Sequence, residues 1–488
     1  MKNTGVTSAT ATGGGGVVPL IAFFALFGMA SNAQGTFQIG IGTKGYERGS
    51  AIRQLSSGDF IIGGYTESYG LQETDMLLMR TDASGNVLWS STYGGTEREV
   101  INDVEQSPDG GILAVAEKYQ PNKKEGEFLT MLKTDGSGTL LWKKIFDEGG
   151  NETEGFSMAA TPDGNFIVTG LVKSMNIVSD AFFTMRGEDQ SLFLIKVDGS
   201  GNKVWSRRLQ TSASEITTGL SVIVASDGSY VVTGNITKKG ATDKKIEKPL
   251  ASLNPDDERN LLLAKVSPDG TLQWANEFAA GRVTAGFSVI EKIGGGFIIA
   301  GISTDPANKS NVDYLLISTD ANGTLQWSKT YGTPGYESST DVKQAADGGY
   351  YVTGITRNFD NDIGDLMMLK TDNAGTLQWA KIYGDKNGEY GGNFVLTSDG
   401  IVLTGEASIG MESFDVLLLK TDWNGKSGCW GKDVTLKEND GKVSYTKMSE
   451  AKTVTIERGV TPPNFKRVDV NNITGQGRET RVLKICGE

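Results

Sequence analysis

Short apolar, β-branched runs alternate along this chain with breaks rich in glycine and aspartate, and no stretch carries a convincing helical period. Phe297-Ile298-Ile299-Ala300-Gly301, Tyr350-Tyr351-Val352-Thr353-Gly354 and Val416-Leu417-Leu418-Leu419-Lys420 are of strand length and strand composition. Between such runs stand Asp109-Gly110-Gly111, Asp163-Gly164 and Asp320-Ala321-Asn322-Gly323, where glycine supplies the positive φ of a tight hairpin turn. Tryptophans recur at Trp89, Trp142, Trp205, Trp274, Trp327, Trp379 and Trp430, at intervals of 53, 63, 69, 53, 52 and 51 residues. Around each one the same order repeats: a short strand, an Asp-Gly turn, an apolar strand, an aliphatic strand, a second turn and a strand bearing the tryptophan. Four antiparallel strands repeated radially make the blade of a β-propeller. The pattern predicts an all-β chain, a seven-bladed β-propeller of four-stranded antiparallel blades.

The ends of the array predict how it closes. Phe37-Gln38-Ile39-Gly40 lacks the three strands that precede a fourth strand, yet Gly42-Thr43-Lys44-Gly45-Tyr46-Glu47 matches Gly332-Thr333-Pro334-Gly335-Tyr336-Glu337, which follows one. The seventh repeat has its first three strands, but Lys426 to Trp430 is a weak fourth. The N-terminal strand is therefore expected to complete the last blade and close the ring, which removes exposed sheet edges. Residues 34–431 form the propeller in this reading. Residues 432–488 leave the repeat and are expected to form a small C-terminal β extension, with short strands near 443–446, 453–456 and 481–485.

Composition narrows the chemistry. The 488 residues include 65 glycines and no histidine, and the net charge is −12. Without histidine, Ser-His-Asp and Cys-His catalysis and most catalytic zinc sites are excluded, while carboxylate chemistry survives. An acidic surface repels phosphate backbones, so nucleic acid is not an expected partner. At the N-terminus Lys2, an apolar core from Val17 to Ala30 and Ser31-Asn32-Ala33 read as a signal peptide over 1–33, cleaved before Gln34. That core is too short for a membrane span. The expectation is an exported protein that is extracellular, surface-associated or periplasmic. Cys429 and Cys486 are the two cysteines: either one disulfide tying the extension to the last repeat, or two buried thiols.

The motifs Asp-Gly-Gly-Tyr, Gly-x-Thr, Leu-Leu-x-Lys-Thr-Asp and Gly-x-x-x-Trp resemble those of exported bacterial β-propeller repeat proteins, mostly of unassigned function, over about residues 37–431. The Asp-x-x-Gly-x-x-x-Trp part is also similar to the tryptophan docking motif of quinoprotein-like propellers. Here its aspartate-to-glycine spacing is one residue shorter, and neither the adjacent cysteine pair nor the catalytic constellation of quinoprotein dehydrogenases is present. The resemblance implies architecture and no activity or cofactor, and the tryptophans are read as inter-blade packing.

Tight turns leave one face trimmed and place every long loop on the other, the face expected to bind. Two insertions enlarge it. Lys173 to Gln190, in the third blade, carries Met175, Ile177, Phe182, Phe183 and Met185, an apolar set that suits a self-packed loop, a partner contact or a lid. Lys238 to Asn260, in the fourth, is charged. Glu47, Glu99, Glu337 and Glu389 recur near the channel mouth, either as a ring for a cationic ligand or as acceptors that fix their own loops. No catalytic residue, metal-ligand set or cofactor motif is evident. The leading reading is a non-catalytic binding or scaffold propeller for an extracellular protein or glycan. A carboxylate-dependent polysaccharide hydrolase or lyase and a structural envelope component stand as alternatives, separable by paired carboxylates in a deep pocket.

Overall fold

The computed structural model describes residues 35–484 except 43–44, 69–73, 96, 121–125, 147–151, 176–178, 181–182, 185–187, 212–214, 239–257, 306, 358–363, 385–387, 409–413, 429–430 and 456–480. The described residues are all-β, contain no helix, and form antiparallel sheets of mostly four or five strands. No helix among them is long and apolar enough to cross a membrane. Unit one comprises Glu47–Gln54, Phe60–Thr66, Asp75–Thr81 and Val87–Tyr93, each paired with the next. The same order recurs in units starting at Glu99, Glu152, Glu215, Thr284 and Glu337. The last unit has Glu389–Leu396, Ile401–Ser408 and Phe414–Thr421, and Phe37–Gly42 lies antiparallel on the third of these, with Ile41 opposite Val416. That is the strand pairing the sequence predicts.

Why the units pack is visible in each fourth strand. The turn between third and fourth strands of the next unit brings a glycine against the tryptophan: a Cβ on Gly138, whose φ is 85°, would collide with the Trp89 ring. Trp89 Nε1 donates to Gly136 O at 3.3 Å, and the Tyr93 hydroxyl donates to Gly138 O. Gly201, Gly270, Gly323, Gly375 and Gly425 repeat the contact with Trp142, Trp205, Trp274, Trp327 and Trp379. Gly85 of unit one meets Phe37 and Ile39 instead. Trp430 lies outside the described residues.

First strands carry a second repeated device. In every unit a β-bulge interrupts the ladder between first and second strands, for example between Gly49 and Ala51 or Gly155 and Ser157. The polar residue after the bulge bonds to the neighbouring unit. Asp103 accepts from Met158 N (2.9 Å), Ser157 Oγ from Val222 N (3.2 Å) and Ser221 Oγ from Val289 N (3.4 Å). Ser288 Oγ donates to Asp341 (2.8 Å), which accepts from Phe394 N (3.3 Å). Consecutive first strands touch, and that of the last unit touches Glu47–Gln54 of the first.

Beyond residue 431 the described residues form short strands, each laid on a strand of the array. Lys432–Asp433, Lys437–Asp440, Ser444–Lys447 and Lys452–Thr455 pair with the fourth strands of units six, five, four and three in turn, and Arg481–Lys484 pairs with Phe37–Gly42. Four residues or fewer per stop cannot build a core of their own. They satisfy the open outer edge of a sheet that already exists.

Candidate functional site: a cavity between first strands

First strands of all seven units line one cavity of about 820 Å³. The bulged residues supply much of its wall, because the extra residue is released from the ladder and turned inward. Phe156, Leu220 and Phe287 give units three to five an apolar wall. Ser50, Asn102 and Thr340, from units one, two and six, give the opposite side a polar one.

The two ends differ. First strands run from the long-loop face towards the trimmed face, so Arg53, Asp103, Glu105, Asp341 and Lys343 lie at the trimmed end. Arg53 bonds Asp103 at 3.0 Å and approaches Glu105 at 3.5 Å, while Lys343 lies 2.7 Å from Asp341. These pairs bind the wall to itself.

At the long-loop mouth stand Arg48, Tyr65, Arg98, Glu117, Glu127 and Glu154. Carboxylate oxygens of Glu117, Glu127 and Glu154 lie within 4.8 Å of one another, close enough to share a divalent cation. Glu154 is buried, and Lys173 donates to it at 2.8 Å. Arg98 stands 3.9 Å from both Glu117 and Glu127. Burial raises the Glu154 carboxyl well above the usual carboxylate range; Lys173 opposes the shift, and the charges of Glu127 and Glu117 add to it. The arrangement sets a carboxyl favouring its protonated form beside two others, in a pocket.

The candidates read from sequence fall elsewhere. Glu47, Glu99, Glu337 and Glu389 are all buried and none lines the channel, so they do not form a ring at its mouth. Glu47 accepts from Thr66 Oγ1 at 3.0 Å. Glu337 accepts from Thr333 N at 3.2 Å and from the Thr333 and Thr356 hydroxyls, and Glu99 accepts from Lys143. Glu337 thereby ties its strand to the connection leading from unit five into unit six. In the unit-three insertion, the second and third strands continue as a ladder as far as Met175 opposite Glu188, and Phe183 lies in a two-residue strand, Phe183–Thr184. Ile177, Phe182, Met185, both cysteines and most of the insertion between Lys238 and Asn260 lie outside the described residues.

The glutamate trio was missed because its members come from two units and three strands. Strand registers place Glu117 in a repeat column with Tyr65, Leu171, Asn235, Ile302, Ile355 and Glu406, and Glu154 in one with Arg48, Val100, Thr218, Ala285, Ser338 and Tyr390, so neither glutamate stands out from its column.

No family model and no curated protein matches the sequence. Solved structures similar to it are all distant. A protein of unknown function from Dyadobacter fermentans is 9% identical, with 79% of this chain and 98% of that one covered and a TM-score of 0.40. An α-L-arabinanase of Penicillium chrysogenum, complexed with arabinobiose, is 11% identical over 80% and 98%, at 0.41. Hydrazine synthase of Kuenenia stuttgartiensis is 12% identical over 62% and 79%, at 0.36.

Proposed function

We propose that this chain is an exported, closed seven-bladed β-propeller that binds a glycan in its axial channel, entered from the long-loop face. The channel's two unlike walls carry the reading. A sugar ring has apolar C–H faces and hydroxyl edges, and Phe156 and Phe287 offer a platform in the same cavity as Asn102, Arg48 and the glutamates. The circuit of contacts between first strands, and the seating of Phe37–Gly42 on the last unit, support closure. Titration calorimetry against soluble oligosaccharides of the cell envelope is the test. Phe287→Ala and Asn102→Ala are each expected to weaken binding about tenfold, with Leu141→Ala, on the outer rim, as the unchanged control. Equal affinity in all four proteins would remove the ligand from the channel.

Hydrolysis is a second reading, and one observation favours it: a buried glutamate held towards its protonated form stands beside two further carboxylates. General acid and nucleophile or base have this requirement. Glu154 would protonate the leaving oxygen, and Glu117 or Glu127 would attack the anomeric carbon or activate water. Glu154→Gln should then abolish release of reducing ends from a bound oligosaccharide while leaving its affinity within a few-fold. Binding with no turnover in the native protein returns the chain to the non-catalytic reading.

A further inference from the structure

Charge is unevenly spread around the long-loop mouth of the cavity. Arg48 and Tyr65, cross-strand partners in unit one, line it. Tyr390 and Glu406 hold the same two repeat positions in the last unit, whose first strand touches that of unit one. Arg357 follows Tyr350–Thr356, the second strand of unit six, at its long-loop end, and is exposed. A Cβ on Gly364 would lie 3.3 Å from the Tyr390 ring and 3.4 Å from Arg357 Cγ, so the stem of Arg357 packs close to Tyr390. Burial raises the Tyr390 hydroxyl above its ordinary range; Arg357 and Arg48 pull it back, against Glu406 and Asp365. Three consecutive units thus bring two guanidiniums and two phenols to one patch.

The cations at the cavity are not equally committed. Arg53 and Lys343 hold carboxylates at 3.0 and 2.7 Å, and Lys173 holds Glu154 at 2.8 Å. Arg48 stands 4.0 Å from Glu406, the limit of an ion pair, with its side chain 40% exposed. Burial raises the Glu406 carboxyl, with Arg48 opposing, which makes this neighbour a weak counterion. Arg357 lays its guanidinium over the Tyr336 ring, 5.0 Å from the centroid. Stacking uses the flat face of the group and leaves its edge N–H donors for a ligand. A planar carboxylate matches such donors in pairs, and phenol hydroxyls can add further bonds. A sugar hydroxyl could accept from either arginine, but only an anion also gains from both charges at a partly dehydrated mouth.

We infer that the glycan of this cavity carries a carboxylate, as a uronic acid does, and that Arg48 and Arg357, with Tyr65 and Tyr390, anchor it. The inference rests on the glycan reading above and adds the charge of the ligand. Unit two, the neighbour of unit one on the other side, brings Glu117 and Glu127 to the same mouth. Their charges repel a carboxylate. The arginines therefore also set the direction of the chain, acidic sugar towards units six to one and the next sugar towards units two and three.

Titration calorimetry on the full chain tests this with uronate oligosaccharides of galacturonan, mannuronan and glucuronan type, each beside its methyl ester, and with a sulfated galactan oligosaccharide. One acid form is expected to bind at least about tenfold more tightly than its ester. That preference should shrink several-fold as NaCl rises from about 50 to about 500 mM. Arg48→Gln and Arg357→Gln should each weaken the acid form about tenfold and leave the ester within about twofold. Arg48→Lys should recover only part of the loss, since an ammonium lacks the planar fork. An unchanged urea midpoint in each variant confirms that its fold is intact. Equal affinity for acid and ester overturns the inference and leaves the glycan reading standing, as does a preference for the sulfated galactan over every uronate. Failure of every acid and every ester to bind overturns both.

Discussion

Asp75 and Asp313 show how one side chain couples the array to pH. Asp75 begins the third strand of unit one and Asp313 lies within the third strand of unit five, each near the glutamate that begins the next unit, Glu99 and Glu337. Burial, and then the charge of that glutamate, push both aspartates up to about 6. The folded state therefore holds protons between about pH 4 and 6 that the unfolded chain has released, so these groups lose stability as pH rises through that window. Asp75→Asn should flatten the dependence. From pH 5 to pH 7, native protein is expected to lose on the order of 1 kcal/mol more than the variant in urea melts; parallel losses would mean Asp75 is ionised throughout. Asp103 and Asp341 are also buried, and each accepts from backbone N–H groups of its own and the following unit. Two aspartates in such sites were readable only as ordinary strand residues.

At the scale of the element, the tight turns are not equivalent although their sequences look alike. Gly110 and Gly138 share a positive φ, 82° and 85°. A Cβ on Gly110 meets nothing within 4 Å, whereas one on Gly138 enters the Trp89 ring. Gly110→Ala should cost about 1 kcal/mol from backbone strain alone. Gly138→Ala should cost about 2–4 kcal/mol, strain and overpacking together, with a change in Trp89 fluorescence. Equal costs would mean the tryptophan ring yields freely. The sequence predicted both turns and the packing role of the tryptophans. Which turn faces which ring depends on the neighbouring unit, and no local pattern carries that.

For the whole molecule, the proposed closure rests on a strand 375 residues from its partner, Ile41 facing Val416. Ile41 is fully buried between the third strand of the last unit and Arg481–Lys484. Ile41→Ala should therefore destabilise the entire chain by about 2–5 kcal/mol in a single cooperative unfolding transition. Loss of only a local, early transition would show that the strand decorates the ring without closing it.

Sequence alone determined the strands, their turns, the sevenfold repeat and the displaced first strand, because strand period, turn glycines and repeat spacing are local properties that survive without a partner. It also removed histidine chemistry outright. Only the tertiary structure decided that Glu117, Glu127 and Glu154 share one mouth and that the bulged residues sort into apolar and polar walls. It alone showed that short strands after residue 431 lie on the fourth strands of the units and that the four recurring glutamates are buried away from the cavity. Those outcomes depend on which unit stands beside which, and strand-to-strand registry across separate repeats leaves no mark in either repeat by itself.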